Sequence, residues 1–286
     1  MRSQKEIGLK ILSPIELRAL QEALLEIYQE IFRICQKYSL SLLLGGCSAL
    51  GAVRHGGFIP WDDDMDLMMF REDYDVFMDK FEKEHQENFR LKKNGLSLHI
   101  LKSNTQYVGL FDMDLMDSNI YIDIFPIDNV PQNKSCRLFK GVMSDMLLFL
   151  HNSKNIYLCK NTCLKKMYSV SMLSMVLYYL RKGLGFFVSL LKDDTILMLH
   201  KRFVVTKKTS HMVSIPSGRK HYFGELLPYS VFFPAQEATF EGHKCYLPNQ
   251  VDVYLSNLYG ADYMQLPPED KREVHPCLAF SLNTEG

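Results

Sequence analysis

Four carboxylates crowd into residues 62–66 of the stretch FIPWDDDMDLMMF, and the chain then turns at once to Leu67, Met68, Met69 and Phe70. A solvated acidic loop ordinarily goes on in glycine, serine or asparagine. Here the charge runs straight into what reads as a buried or half-buried strand over 65–70. Alternate residues of a strand share a face, so Asp62, Asp64 and Asp66 are expected on one side and Asp63, Met65 and Leu67 on the other. Carboxylates two residues apart, roughly 7 Å at the Cα, converge closely enough to meet on a cation, and without one their repulsion raises their pKa values. A divalent metal is the economical explanation.

At 286 residues the chain is long enough to bury a large core in one or two domains, and 47% hydrophobic against 23% charged residues excludes a disordered chain. The start, MRSQKEIGLK, has no apolar run of the kind a signal peptide needs. A cytoplasmic protein is expected, with peripheral placement at the inner membrane face left open. Seven cysteines, an odd number scattered along the chain, argue for reduced thiols. Cys159 and Cys163 are close together, but no second pair accompanies them and no zinc site is expected.

The zero net charge hides segregation: residues 1–131 carry −7, residues 132–208 carry +11 and residues 209–286 carry −4. The basic middle implies an anionic partner. Its Leu, Met and aromatic content suits lipid better than a base-stacking groove, so no nucleic acid is expected. The apolar stretch 167–180 is too short to cross a bilayer. Two readings of this part stand open: helices lying in a membrane interface or facing the acceptor, and a helical lid on the core.

Ser13-Pro14-Ile15-Glu16 is a capping box with proline at the first helical position, and Leu17, Leu20, Leu24, Ile27, Ile31 and Ile34 continue it into a helix over 14–38. A short strand at 40–44, a Gly45-Gly46 turn, a helix over 48–55, the aspartate strand and a helix over 71–84 follow. Short strands are expected at 89–93, 96–102, 107–113 and 120–125, and a helix at 249–259. The fold class is α+β, a mixed sheet flanked by helices. Three parts are expected: a catalytic core over 1–131, a basic helical segment over 132–210, and a C-terminal part over 211–286 that packs back on the core.

Gly45-Gly46-Cys47-Ser48 offers backbone N–H groups and a hydroxyl to a phosphate beside the aspartates. Arg54 and His55 lie between the two motifs, where a guanidinium can hold a phosphate oxygen. Asp123 is the single charge in YIDIFP, an expensive burial unless a metal or an edge position compensates it. Asp112, Asp114 and Asp117 have polar surroundings and are weaker candidates.

The unbroken run GCSALGAVRHGGFIPWDDDMD, residues 46–66, resembles the signature of the LicD family, and FEG at 240–242, YLP at 246–248, YGADYM at 259–264, LPP at 266–268 and His275-Pro276 are similar to its C-terminal part. The resemblance implies a nucleotidyltransferase-like fold with Asp64 and Asp66 as ligands of Mg²⁺ or Mn²⁺, Asp123 as the third carboxylate, and Gly46, Ser48, Arg54, His55, Asp62 and His275 on the substrate. Cys47 stands where the family more often has glycine. The implied activity is transfer of a phospho-alcohol, typically phosphocholine from CDP-choline, to a sugar hydroxyl of a glycan or lipid-linked glycan acceptor such as a teichoic-acid precursor, releasing CMP. Ribitol or glycerol donors, an NTP-using nucleotidyltransferase and a non-catalytic adaptor are the alternatives.

Overall fold

The computed structural model describes residues 9–109, 118–159, 162–169, 171–192 and 195–283. Helix α1 (Pro14–Tyr38) starts where the capping box places it: Ser13 Oγ accepts the Glu16 N–H at 3.3 Å and Glu16 Oε2 accepts the Ser13 N–H at 2.9 Å. Strand β1 (Leu43–Leu44), α2 (Gly46–His55), β2 (Asp66–Phe70), α3 (Arg71–Glu84), β3 (Phe89–Asn94), β4 (Ser97–Lys102) and β5 (Gln106–Val108) follow. Strand β6 (Tyr121–Asn129) leads into α4 (Lys134–Leu158), α5 (Thr162–Tyr168), α6 (Met172–Ser189) and α7 (Thr195–Phe203). The chain returns through β7 (Met212–Ser214), α8 (His221–Gly224), β8 (Leu227–Pro228), the hairpin β9 (Gln236–Phe240) and β10 (His243–Leu247), α9 (Val251–Tyr259) and β11 (Ala279–Ser281).

The main sheet runs β1-β2-β6-β4-β3, with β7 and β8 continuing from the far end of β6. Strands β2 and β6 are parallel with Asp66 opposite Asp123, while β4 is antiparallel to β6 with His99 opposite Asp123. Asp66, Asp123 and His99 therefore form a row across three adjacent strands on one face, and Met68 and Phe125 extend it. The other parity, Leu67, Met69, Ile122 and Ile124, is fully buried and joins the inner faces of α1 and α3 in the main hydrophobic core.

Pro126 sits inside this central strand, which proline ordinarily avoids. The Asp123 N–H points to β2, where it meets Met65 O, so the even-numbered residues of β6 turn their backbone the other way. On that side β4 pairs up to Ile124 and β7 begins at Asp128. Residue 126 falls in the gap, and no ladder bond is lost.

The main core also takes in Val213, Phe232, Phe240, Tyr254 and Leu258, so the returning chain is built into the same interior as α1 and the sheet. Helices α4 to α7, in the segment read from sequence as basic and helical, carry small apolar clusters of their own. The two regions meet where α4 packs on α8, with Gly141 against Tyr222 and Phe223. Cys35, Cys47, Cys136, Cys159, Cys245 and Cys277 are free thiols. The Cys163 side chain and the candidates Asp112, Asp114 and Asp117 lie outside the described residues.

Candidate active site

The acidic stretch reaches the sheet by a route that other segments pin down. Gln21 Nε2 in α1 donates to Asp62 O at 3.0 Å. Ser48 Oγ accepts the Asp66 N–H at 2.9 Å, and the Gly45 N–H donates to Asp66 O at the same distance. Glu241, in the turn of the β9–β10 hairpin, accepts the Phe58 N–H at 3.1 Å and donates its own N–H to Gly56 O at 3.0 Å. The loop's shape is thus set by α1, α2 and the returning chain together.

Between α2 and α9, over the face carrying Asp66, Met68 and Phe125, lies a cleft of about 580 Å³. Asp62, Asp64 and Asp66 form its floor. Ligand atoms of Cys47, Asp62 and Asp64 all fall within 4.8 Å of one another, and Cys47 Sγ is 3.0 Å from Asp64 Oδ1 and 3.6 Å from Asp66 Oδ2. Desolvation, then the charge of Asp64, pushes Asp62 and Asp66 well above the usual carboxylate range, and desolvation raises Asp64 too. The same desolvation and the three aspartates push the Cys47 thiol far up, so it stays protonated and donates.

Gly46 is what lets α2 begin so close to this charge. Its φ is +43°, and a Cβ there would lie 2.3 Å from Asp66 Oδ2. The left-handed residue of the turn is Gly46; Cys47 is already helical, so its difference from the family's glycine leaves the turn intact. Asp63 faces away, accepting from Tyr107 OH at 2.5 Å and from His275 Nδ1 at 2.9 Å. That hydrogen bond, reinforced by the aspartate charges, raises His275 to about 9.

The walls are cationic and aromatic. Arg54 Nη1 donates to Tyr263 O at 2.9 Å and Gln265 O at 3.3 Å. Arg219 forms a bidentate pair with Glu273 at 2.8 and 2.6 Å and lies 5.3 Å from the Tyr259 ring. Arg272 stacks 4.4 Å over Trp61. Tyr254 OH accepts the Gly46 N–H at 3.0 Å. Glu225, only 2% exposed, accepts the Lys220 N–H at 2.9 Å, and burial pushes its carboxyl up to about 7.

Residues 39–146 match the family model described as LicD/FKTN/FKRP, nucleotidyltransferase domain, a span that contains the glycine turn, all four acidic-loop aspartates and Asp123. Over 269 residues, 91% of this chain and 96% of the other, the sequence is 26% identical to the protein named lipopolysaccharide cholinephosphotransferase LicD of Haemophilus influenzae. The chain thus carries a match to the LicD nucleotidyltransferase domain and is similar to a LicD protein along nearly its whole length.

The expected residues fall into three groups. Gly46, Arg54, Asp62, Asp64, Asp66 and His275 line the cleft. Asp123 stands beside Asp66 on the same sheet face, with Oδ1 accepting from Ser97 Oγ at 3.0 Å and lying 3.0 Å from His99 Nε2. Ser48, read for a phosphate contact, and His55, read for the substrate, do not line the cleft. Ser48 is buried and its hydroxyl is taken by the Asp66 N–H; His55 is exposed outside the cleft lining, bonded to Arg54 Nε at 3.0 Å. Arg219, Glu225, Lys271 and Glu273 also line the cleft without having been singled out from sequence. Glu225 carried a usable signal, a lone acid before the apolar Leu226-Leu227, of the kind that flagged Asp123.

The aspartate floor fits a hard divalent cation. Its donors are carboxylate oxygens, the atoms Mg²⁺ and Mn²⁺ prefer. Among the neighbours that ease the charge of these aspartates are Cys47, His275 for Asp62 and Asp64, and the Arg54 guanidinium, which attracts Asp62; desolvation and mutual repulsion still dominate.

Proposed function

We propose that the chain transfers phosphocholine from CDP-choline to a sugar hydroxyl of a lipopolysaccharide-type or related cell-surface glycan, releasing CMP, on a nucleotidyltransferase-like scaffold. The observation that carries this reading is the cleft itself: a floor of three mutually repelling aspartates faces Arg54, Arg219 and Lys271 across a space edged by Trp61, Tyr254 and Tyr259. Phosphoryl transfer requires positioning and charge neutralisation more than covalent help from the protein. Mg²⁺ or Mn²⁺, held by Asp64 and Asp66 with Asp62 beside them, would neutralise the diphosphate and stabilise the charge developing on the leaving CMP.

The chain's own groups supply the rest. Arg54, its guanidinium partly desolvated at the cleft wall and its pKa lowered for that reason, binds phosphate oxygens as a fixed donor. The aromatic edge and the buried Glu225 carboxylate suit a quaternary ammonium better than a neutral polyol. Asp123, oriented by Ser97 and His99, takes the proton from the acceptor hydroxyl. The CDP-choline donor and the metal requirement are read from this chemistry together with the relative's printed name.

Isothermal calorimetry with CDP-choline, CDP-ribitol, CDP-glycerol and CTP, each with Mg²⁺ and with EDTA, tests the reading. Metal-dependent binding of CDP-choline above the other three is expected. Preference for CTP would make the chain an NTP-using nucleotidyltransferase, and no nucleotide binding at all would remove the donor site.

A further inference from the structure

Helix α6 is turned inside out. A helix packed on a soluble core carries its apolar stripe inward and its polar residues outward. Here Tyr178, Gly185 and Val188 face inward, while Leu173, Val176, Leu177, Leu180, Phe187 and Leu190 recur at helical spacing on the outer side. They are well exposed, Leu173 at 69% and Phe187 at 67%. α4 presents a second outward row, Leu138, Val142, Met146 and Phe149, and Arg181 of α6 lies 5.1 Å over the Phe149 ring, which ties the two rows together. α7 adds Met198, Leu199 and Phe203. Most of the large apolar side chains exposed among the described residues lie between 138 and 203. A monomeric soluble protein rarely leaves so much contiguous apolar surface uncovered.

Charge selects the occupant. Residues 132–208 hold 14 Lys+Arg against 3 Asp+Glu, and Lys165, Lys166, Lys192, Arg202, Lys207 and Lys208 are exposed. A second copy docked face to face would set one strongly basic surface against another. An anionic lipid surface complements both the charge and the apolar rows. No described helix is long and apolar enough to cross a bilayer, so contact is with its surface.

We propose that the outward faces of α4, α6 and α7 form a docking surface for an anionic lipid bilayer, with the α6 stripe in the headgroup–acyl boundary and the lysines and arginines among the phosphates. The helices that carry this surface reach the cleft wall through their inner side: α4 packs on α8, and Gly218 and Glu225 on either side of α8 line the cleft. The inference stands on the helix faces and their charge and does not rest on the phosphocholine reading.

Flotation of the full chain with vesicles of phosphatidylglycerol mixed with phosphatidylcholine, and of phosphatidylcholine alone, at physiological salt, tests it. The wild type is expected to float with the anionic vesicles. The triple variant Leu173→Ser, Leu177→Ser, Leu180→Ser, which alters only exposed side chains, should lose binding by on the order of tenfold or more at unchanged helicity. Lys165→Glu with Lys166→Glu should weaken binding to the anionic vesicles and leave phosphatidylcholine binding as it is. A wild type that stays with the lipid-free fraction, or a triple variant that floats like the wild type, overturns the proposal. So does a wild type that light scattering finds dimeric and the triple variant finds monomeric, which assigns the face to a second copy.

Discussion

At the scale of single residues, the site depends on atoms that no other side chain would leave in place. Gly46→Ala adds a methyl group 2.3 Å from Asp66 Oδ2 at a φ of +43°. Gly56, which ends α2 at φ +70° with nothing within 4 Å, is the control. Both alanine variants should lose on the order of 1 kcal/mol to the left-handed backbone, measured by urea unfolding. Only Gly46→Ala should also lose donor binding; equal binding in the two would show that the close approach of α2 to Asp66 is not needed. Glu225 gives a pH test. Its carboxyl ionises near the ordinary 4.5 in the unfolded chain and at about 7 in the folded one, so the folded state holds the extra proton between those values. Stability from this group therefore falls as pH rises from about 4.5 to about 7. Glu225→Gln keeps an acceptor for the Lys220 N–H and leaves Arg219, Lys220 and Tyr254, the groups that face it, in place. The variant should match the wild type at pH 4 and exceed it by up to roughly 3 kcal/mol at pH 8, read from denaturation midpoints; a constant difference across that range would refute the buried charge.

At the scale of elements, the α3–β6 junction rests on one ion pair. Arg71, the first residue of α3, donates two hydrogen bonds to Asp128 in β6 at 2.7 and 2.9 Å, and the carboxylate side is 2% exposed. Asp128→Ala leaves the largely desolvated guanidinium with only the longer contact to Asp75, at 3.8 Å, so a loss of about 3 kcal/mol is expected, whereas the double change Arg71→Met with Asp128→Leu should cost less. Equal losses would mean that packing rather than charge holds the junction. The helices that open and close this region were legible because local signals fixed both ends: α1 over 14–38 through its capping box, and α3 over 71–84 through the spacing of Tyr74, Phe77 and Phe81. The strands were legible as apolar runs but not in extent. β1 shrinks to two residues because only Leu43 and Leu44 find Met68 and Leu67 opposite them. β6 runs four residues beyond the expected end at 125, through Pro126, because the gap between β4 and β7 excuses the missing N–H. The convergence of Asp62, Asp64 and Asp66 was read from strand alternation, yet β2 begins only at Asp66; pins from Gln21, Ser48 and Glu241 bring the earlier aspartates round. More than half of the cleft lining comes from residues 215–275; the family resemblance had put His275 on the substrate and the C-terminal part back on the core, but no local pattern said that Arg219, Glu225 and Glu273 face the aspartates.

At the scale of the whole molecule, that distant stretch and the aspartate floor share one hydrophobic core, in which Leu20, Leu67 and Ile122 pack with Phe232, Phe240 and Tyr254. A ligand that binds the floor is therefore linked to unfolding of the core as a unit and not to a local loop. The floor is also where the fold stores unfavourable charge, since desolvation and mutual repulsion raise Asp62, Asp64 and Asp66 together. Two consequences follow for calorimetric melting. With Mg²⁺ at about a hundredfold over its dissociation constant, the wild type should gain roughly 4–5 °C in Tm, which EDTA reverses. Asp66→Asn should melt no lower than the wild type in EDTA, because it removes a repelled charge while keeping the strand and the Ser48 contact, and it should lose both the Mg²⁺ shift and turnover. A Mg²⁺ shift that survives in Asp66→Asn would move the cation away from this floor, and near-normal turnover in that variant would remove Asp66 from the chemistry.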